Sequence, residues 1–360
     1  MQMNISITKS TSSNLSKVDF DNLPFGRIFS DHMFVCDYAD GSWQQPRIIP
    51  FQNFDMHPAS MVLHYGQAIF EGMKASKSLD GRPMFFRPEL HAERLNISAR
   101  RICMPEFPEE LFLDAIHQLV GLDSAWIPPK EGSALYIRPT MVATDEFIGV
   151  KPSSRYRFFI FTCPVGPYYS KPVRLWADTH YIRAAEGGTG FAKYAGNYGA
   201  TLLPAQLAME KGYDQIMWLD AKEFKYIQEC GTMNIMFVID GKVLTPPLYD
   251  TILDGVTRKS ALEILRSEGY EVEEKRITIG EVVTAYENGT LQEAFGVGTA
   301  AVVSHASAIG YKDLVMELPP ASEQKVGAFI KATIDGLRSG KVEDKWGWVV
   351  PVGQEAAVAV

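Results

Sequence analysis

Residues 183–198 read Arg-Ala-Ala-Glu-Gly-Gly-Thr-Gly-Phe-Ala-Lys-Tyr-Ala-Gly-Asn-Tyr, and this stretch decides how the rest of the chain is read. It sets Lys193 between a glycine cluster and a Tyr/Asn patch, just ahead of an amphipathic run. Burying an ammonium is costly unless something neutralises it, so a lysine here makes a poor core residue. It makes a good reactive amine, kept so by desolvation and close neighbours, as a Schiff-base lysine requires. The competing reading is a surface lysine on a glycine-rich loop. Spacing excludes a phosphate-binding P-loop, because Gly190 does not directly precede Lys193 and Tyr194 is neither Ser nor Thr.

Working outward, residues 226–234 (YIQECGTMN) lie between two runs that read as strands, 215–219 and 234–239. Their carboxylate is Glu229. A pyridoxal phosphate site needs an amine for the aldehyde, an anion at the pyridine nitrogen, a cationic or amide-lined phosphate cup, and groups that orient the ring hydroxyl. Lys193 suits the first role and Glu229 the second, since a carboxylate beside the ring nitrogen favours its protonated form. A salt-bridged strand residue is the alternative for Glu229.

Seven ordered motifs carry a family likeness. They are PFGRIFSDHM from Pro24, LHYGQAIFEGMKA from Leu63, FFRPELHAERLNISARRICMP from Phe85, YIRPTM from Tyr136, GGTGFAKYAGNYG from Gly187, QECGTMN from Gln228 and VGTAAVV from Val297. With them the chain resembles the branched-chain amino acid aminotransferases, pyridoxal-phosphate enzymes of the class IV aminotransferase family and of fold-type IV (the D-amino acid aminotransferase-like fold). The resemblance implies a mixed α/β architecture of two domains with the cofactor between them, and a homodimer. The small N-terminal domain would span 1–164, a connecting loop 165–174, and the large cofactor-binding domain 175–360.

The resemblance also implies residue roles. Lys193 carries the cofactor, Arg94 grips its phosphate, Tyr198 meets the ring hydroxyl, Glu229 the ring nitrogen, and Thr232 the ring. Val256, Thr257 and Thr299 complete the phosphate cup. The substrate pocket falls to Phe25, Tyr65, Phe70, Tyr136, Arg138 and Ala300, with Val150 of the partner subunit. Local sequence agrees at two points. Arg94 sits in a helical pattern whose residues three and four positions away, Leu90, His91, Ile97 and Ser98, include no carboxylate to pair with it. Residues 253–258 lead directly into a helix, so the N–H groups of Val256 and Thr257 are free to face a phosphate. The expected reaction moves an amino group between leucine, isoleucine or valine and 2-oxoglutarate, yielding 2-oxo acids and glutamate. D-Amino acid aminotransferase and aminodeoxychorismate lyase share the lysine and glutamate, but FEGMKA and YIRPTM favour the branched-chain group. A non-catalytic binding protein on this scaffold would be expected to have lost one of Lys193, Glu229, Tyr198 or Arg94.

Composition sets limits. A chain of 360 residues exceeds a typical single domain. A net charge of −8 argues against nucleic acid or anionic membranes as partners. No apolar run is long enough to span a bilayer and no signal peptide is evident, so a cytoplasmic protein is expected. The polar, Ser/Thr-rich opening of about 20 residues reads as a disordered tail. Four dispersed cysteines lack C-x-x-C spacing and seven histidines lack H-E-x-x-H, so no metal is expected and the thiols read as reduced. His64 and His91 read as structural. Periodicity predicts helices at 109–122, 197–209, 256–267 and 323–337, and strands at 134–141 and 155–163. Asp240-Gly241 between two strand patterns reads as a hairpin turn.

Overall fold

Two runs of alternating apolar residues, Ala134–Ala143 and Tyr156–Val165, form the middle of the first sheet. They pair antiparallel throughout, from Ala134 opposite Val165 to Ala143 opposite Tyr156. The structure is a computed structural model describing residues 3–166 and 171–353. Outward on one side of this pair come His32–Ala39, Arg47–Pro50 and Ser6–Ile7, and on the other Met73–Lys77, Pro83–Phe86 and Val349–Pro351. Helices Pro88–Arg101 and Glu109–Leu122 contribute to the same core. The second buries Leu111, Phe112, Ala115, Ile116, Leu119 and Val120, the face that its spacing predicts. No described helix is long and apolar enough to cross a membrane.

The chain separates into two units. The first comprises Met1–Tyr168, Ala192–Gly196 and Asp335–Val360, and the second Tyr169–Phe191 and Asn197–Ile334. This departs from the contiguous division expected at 1–164, 165–174 and 175–360. The C-terminal segment returns to the first sheet because Val349–Pro351 pairs with Pro83–Phe86 and Arg338 stacks over Phe86. Ala192–Gly196 joins the first unit through a bridge from Tyr194 to Ile69. Of the expected connecting loop, residues 167–170 lie outside the described residues. The disordered tail expected over about 1–20 is also corrected from residue 3 onward. Ser6 and Ile7 pair with Arg47 and Ile48, and Met3, Ile5, Leu15 and Val18 pack against the core. These scattered apolar residues are few enough for average composition to hide them.

In the second unit six strands close on themselves. Val173–Ala177, Gln215–Leu219, Ile227–Cys230, Met233–Ile239, Leu291–Gly298 and Val302–Tyr311 each pair with the next, and the last pairs back to the first. Closure leaves these strands no free edge within the ring. The predicted hairpin is present, with Asp240 and Gly241 at φ 50° and 76°, the left-handed region such a turn needs. Helix Val256–Ser267 has the predicted bounds. The single helix expected at 197–209 is instead two, Ala195–Gly199 and Leu202–Glu210. Pro204, in the first turn of the second, has no N–H to continue a helix from before it.

A proline also shapes the first sheet. Glu71 donates its N–H to the Pro139 carbonyl at 2.8 Å, and Pro139 has no N–H to return. The neighbouring strand is therefore interrupted, while Phe70 opposite Thr140 and Met73 opposite Ile137 keep one register on either side. Glu71 lies in this gap, fully buried at 0% exposure. Its carboxylate accepts hydrogen bonds from Arg94 Nε and Nη2, each at 2.8 Å, and from His91 Nδ1 at 2.9 Å. Burial alone would push the Glu71 carboxyl up, but the Arg94 guanidinium and then His91 outweigh it and hold it well below the usual carboxylate range. Burial pushes His91 down against the pull of Glu71, so a neutral imidazole makes this contact.

Glu71→Gln breaks a buried charge pair and should cost about 3–5 kcal/mol of stability, read as a lower urea midpoint. The lowered Glu71 pKa contributes stability that is present above its unfolded value of about 4.3 and lost as pH falls toward the folded one. The lowered His91 pKa acts in the same direction, beginning below about pH 6.5. The variant should therefore show a shallower acid-side decline than the parent. An unchanged midpoint and acid limb would overturn the assignment.

Candidate active site

Lys193 is fixed from both sides of its backbone. Its N–H donates to Ser98 Oγ at 2.8 Å, and its carbonyl accepts from the Phe70 N–H at 3.1 Å. Ser98 lies on helix Pro88–Arg101, which also carries Arg94 and His91. One helix thus orients both Glu71 and the lysine backbone. The Lys193 Nζ stands 4.9 Å from the centroid of the Phe70 ring, and the Arg138 guanidinium carbon stands 4.7 Å from the same ring. Two cations share one aromatic neighbour, a contact that favours each in a partly desolvated place.

Arg138 comes from the strand Ala134–Ala143, next to the proline gap. Its Nη2 donates to Tyr136 Oη at 3.1 Å, and Phe25 meets the Tyr136 ring edge-on at 5.3 Å. Gly72 makes room for this, since a Cβ there would fall 2.1 Å from Tyr136 Oη. Among the described residues no carboxylate pairs with Arg138, and its Nε is buried without an acceptor. A half-buried guanidinium in that condition is suited to an anionic ligand. The structure thus brings Phe25, Phe70, Tyr136, Arg138 and Lys193 together. Tyr65, at the end of the short helix Met61–Tyr65, and Val150, 90% exposed, lie on the surface of this chain.

The second unit builds its own cluster around Glu229. This buried carboxylate lies on Ile227–Cys230 opposite Trp218 and Asn234. Oε1 accepts from Asn234 Nδ2 at 3.1 Å and from the Leu253 N–H at 2.9 Å, while Arg183 Nε lies 2.9 Å from Oε2. Two N–H donors and one ion pair, from three separate segments, converge on it and fix its orientation. Arg183 is itself held by the carbonyls of Gly190 at 2.9 Å and Thr251 at 2.5 Å. The glycine at 190 is needed for that approach, because a Cβ would fall 2.6 Å from the Ala184 Cβ and 2.7 Å from Thr251.

The other expected residues of this unit gather near one end of the barrel. Thr232 occupies the two-residue turn between Ile227–Cys230 and Met233–Ile239, beside Gly231 at φ 55°. Because Asn234 pairs with Val297 and Gly298 with Val302, the turn holding Thr299 and Ala300 falls at the same end. Asn234 also donates to the Leu253 carbonyl at 2.9 Å, which brings the start of helix Val256–Ser267 alongside. That helix begins at Gly255 with no side-chain cap, and a Cβ on Gly255 would fall 2.1 Å from Asn234 Oδ1. Val256 and Thr257 are buried in its uncapped first turn, whose N–H groups suit an anion. Tyr198 is half-buried in Ala195–Gly199.

Sequence reasoning did not assign Glu71, Ser98, Arg183, Asn234 or Leu253. A signal existed for Glu71, since an arginine without a helical counter-ion needs one from elsewhere. Arg183 opens the decisive stretch, but nothing local marks its partner. Cys230, adjoining Glu229, is buried, and burial together with the nearby carboxylate pushes its thiol up, which makes it a poor thiolate.

Similarity to known proteins points the same way. Residues 68–309 match the family described as amino-transferase class IV. Branched-chain-amino-acid aminotransferase 2 of Bacillus subtilis (strain 168) is 46% identical over 346 residues, covering 95% of each chain. The solved branched-chain amino acid aminotransferase of Escherichia coli is 26% identical with a TM-score of 0.72, covering 90% of this chain and 99% of that one. The branched-chain aminotransferase of the thermophilic archaeon Thermoproteus uzoniensis, solved with norvaline, is 27% identical, with a TM-score of 0.73 over 89% of this chain and 99% of that one. A family match over most of the chain, on a fold shared with solved members, leads to one conclusion: this chain belongs to the class IV aminotransferases, among the branched-chain-amino-acid aminotransferases.

Proposed function

We infer that the protein transfers the amino group between L-leucine, L-isoleucine or L-valine and 2-oxoglutarate, giving the branched-chain 2-oxo acid and L-glutamate. Within this family, the observation that carries the reading is the placing of the half-buried Lys193 amine and of Arg138, whose guanidinium has no carboxylate partner among the described residues, over one Phe70 ring. An amine for proton transfer and a cation for a second carboxylate are what this pair of substrates demands. The rival readings, D-amino acid aminotransferase and aminodeoxychorismate lyase, are not favoured beside 46% identity to a branched-chain relative.

Class IV aminotransferases use pyridoxal 5'-phosphate, and the residues present fit it. The helix start at Gly255, which has no side-chain cap and is followed by the buried Val256 and Thr257, is a feature a phosphate would use. In this reading Lys193 Nζ is the attachment point, Arg94, Val256, Thr257 and Thr299 hold the phosphate, Glu229 faces the ring nitrogen, Tyr198 faces the ring hydroxyl, and Thr232 touches the ring. When bound, the cofactor supplies an aldehyde to take up the amino group and an electron-poor ring to ease loss of the α-proton. Lys193 Nζ, once free, would take that proton from the substrate α-carbon and deliver it to the cofactor carbon that carried the aldehyde, acting as general base and then general acid. Arg183 and the Asn234 and Leu253 donors keep Glu229 in place. Phe25, Tyr65, Phe70, Tyr136 and Ala300, with Val150 of the partner subunit, wall the aliphatic side chain, and Arg138 serves the distal carboxylate of glutamate. The two half-reactions share one pocket in turn, so the kinetics are ping-pong. The exposed apolar Val150 supports a homodimer, and four free cysteines support the reducing cytoplasm.

Three variants test these assignments. Lys193→Ala should abolish transamination and the borohydride-trappable bond to the cofactor, and peptide mapping of that bond to another lysine would sink the assignment. Glu229→Gln should retain cofactor but turn over at least roughly a hundredfold more slowly, with thermal melting used to separate loss of the Arg183 pair from loss of chemistry. Near-normal turnover would leave Glu229 a structural residue. Arg138→Met should lower kcat/KM for glutamate and 2-oxoglutarate at least about tenfold more than for leucine, whereas equal losses would make Arg138 a general orienting residue.

A further inference from the structure

A cavity of about 420 Å³ opens within the second unit, lined by none of the residues assigned above to cofactor or substrate. Its volume falls in the range of small-molecule sites. We propose that it is a second binding site, taking a free α-amino acid as a zwitterion with an apolar side chain.

The polar groups of the wall sort into those already used and those available. Glu186 and Lys222 pair with each other. The Asp220 carboxylate accepts backbone N–H groups from Lys222, Glu223, Lys225 and Tyr226. Arg276 remains. Its guanidinium stacks 3.8 Å over the Tyr226 ring and pairs with no carboxylate among the described residues. Gln228 also remains. The ladder sets Trp218 opposite Glu229 but Leu219 opposite Ile227, so Gln228 is the extra residue of a bulge. It is 7% exposed, and its Oε1 is buried with no donor. Beside them Asp250 uses Oδ2 to accept the Gly187 N–H at 2.5 Å. A guanidinium suits a carboxylate, while an amide oxygen and a carboxylate suit an ammonium. Pro246, Pro247, Tyr249 and Ile252 supply an apolar wall for a side chain.

The place of the cavity gives binding a consequence. Its wall includes Gln228, next to Glu229, and Ile252, next to the Leu253 N–H that Glu229 accepts. It also includes Thr251, whose carbonyl holds Arg183. A bound zwitterion therefore bears on the groups that orient Glu229, and this coupling rests on the role given to Glu229 above.

The probe is α-methyl-L-leucine, which has no α-hydrogen to lose, titrated calorimetrically into borohydride-reduced holoenzyme. Arg276→Ala and Gln228→Leu should each weaken binding at least about tenfold, and Arg138→Met should leave it unchanged. Isoamylamine and 4-methylpentanoate, each lacking one charge, should bind at least about tenfold more weakly than the probe. No binding, binding that follows Arg138 instead of Arg276, or equal affinity for the three compounds overturns the site. With both substrates saturating, the probe should change kcat in the parent enzyme but not in Arg276→Ala. Constant kcat with intact binding overturns the coupling, whereas normal turnover by Glu229→Gln overturns only the role given to Glu229.

Discussion

The missing N–H of Pro139 is the constraint around which the first unit is arranged. It opens the sheet at Glu71 and Gly72 without shifting the register. A carboxylate placed in that gap must be neutralised, and helix Pro88–Arg101 supplies Arg94 and His91 to do it. The same helix turns Ser98 toward the Lys193 backbone. Gly72, the second residue of the gap, admits the Tyr136 hydroxyl that Arg138 bonds. Sheet, helix, lysine and guanidinium are therefore linked through one break in a hydrogen-bond ladder.

The second unit repeats the device with different parts. Glu229 is also a buried carboxylate with an arginine and further N–H donors, here from Arg183, Asn234 and Leu253. Taking two charges out of water offsets most of their attraction, so such pairs contribute little net stability. What they provide is orientation, since the cost of leaving either partner alone holds both in place. That is the property a catalytic constellation needs from the residues around it. The glycine-rich segment before Lys193 takes part, because Gly190 lets the backbone close on Arg183 and Thr251. The first unit, in contrast, keeps the Arg138 cation without a carboxylate partner among the described residues. One arginine holds a carboxylate of the protein, while the other stands over an aromatic ring and bonds a tyrosine hydroxyl.

Much of this was legible in the sequence. Apolar spacing located helices Glu109–Leu122 and Val256–Ser267, and Asp240-Gly241 located its hairpin, because these depend on interactions within a few residues. The family motifs pointed to the reaction class. Periodicity failed at Pro204, where a locally helical pattern lacked one donor, and composition failed at Met3, Ile5, Leu15 and Val18, whose burial depends on a distant core. The partners of Arg94 and Glu229, the return of Val349–Pro351 to the first sheet and the unpaired Gln228 in its bulge were decided only by the tertiary structure. Each joins residues far apart in the chain. A charge carries no mark in the sequence of which opposite charge will neutralise it; burial settles that once folding has brought the segments together.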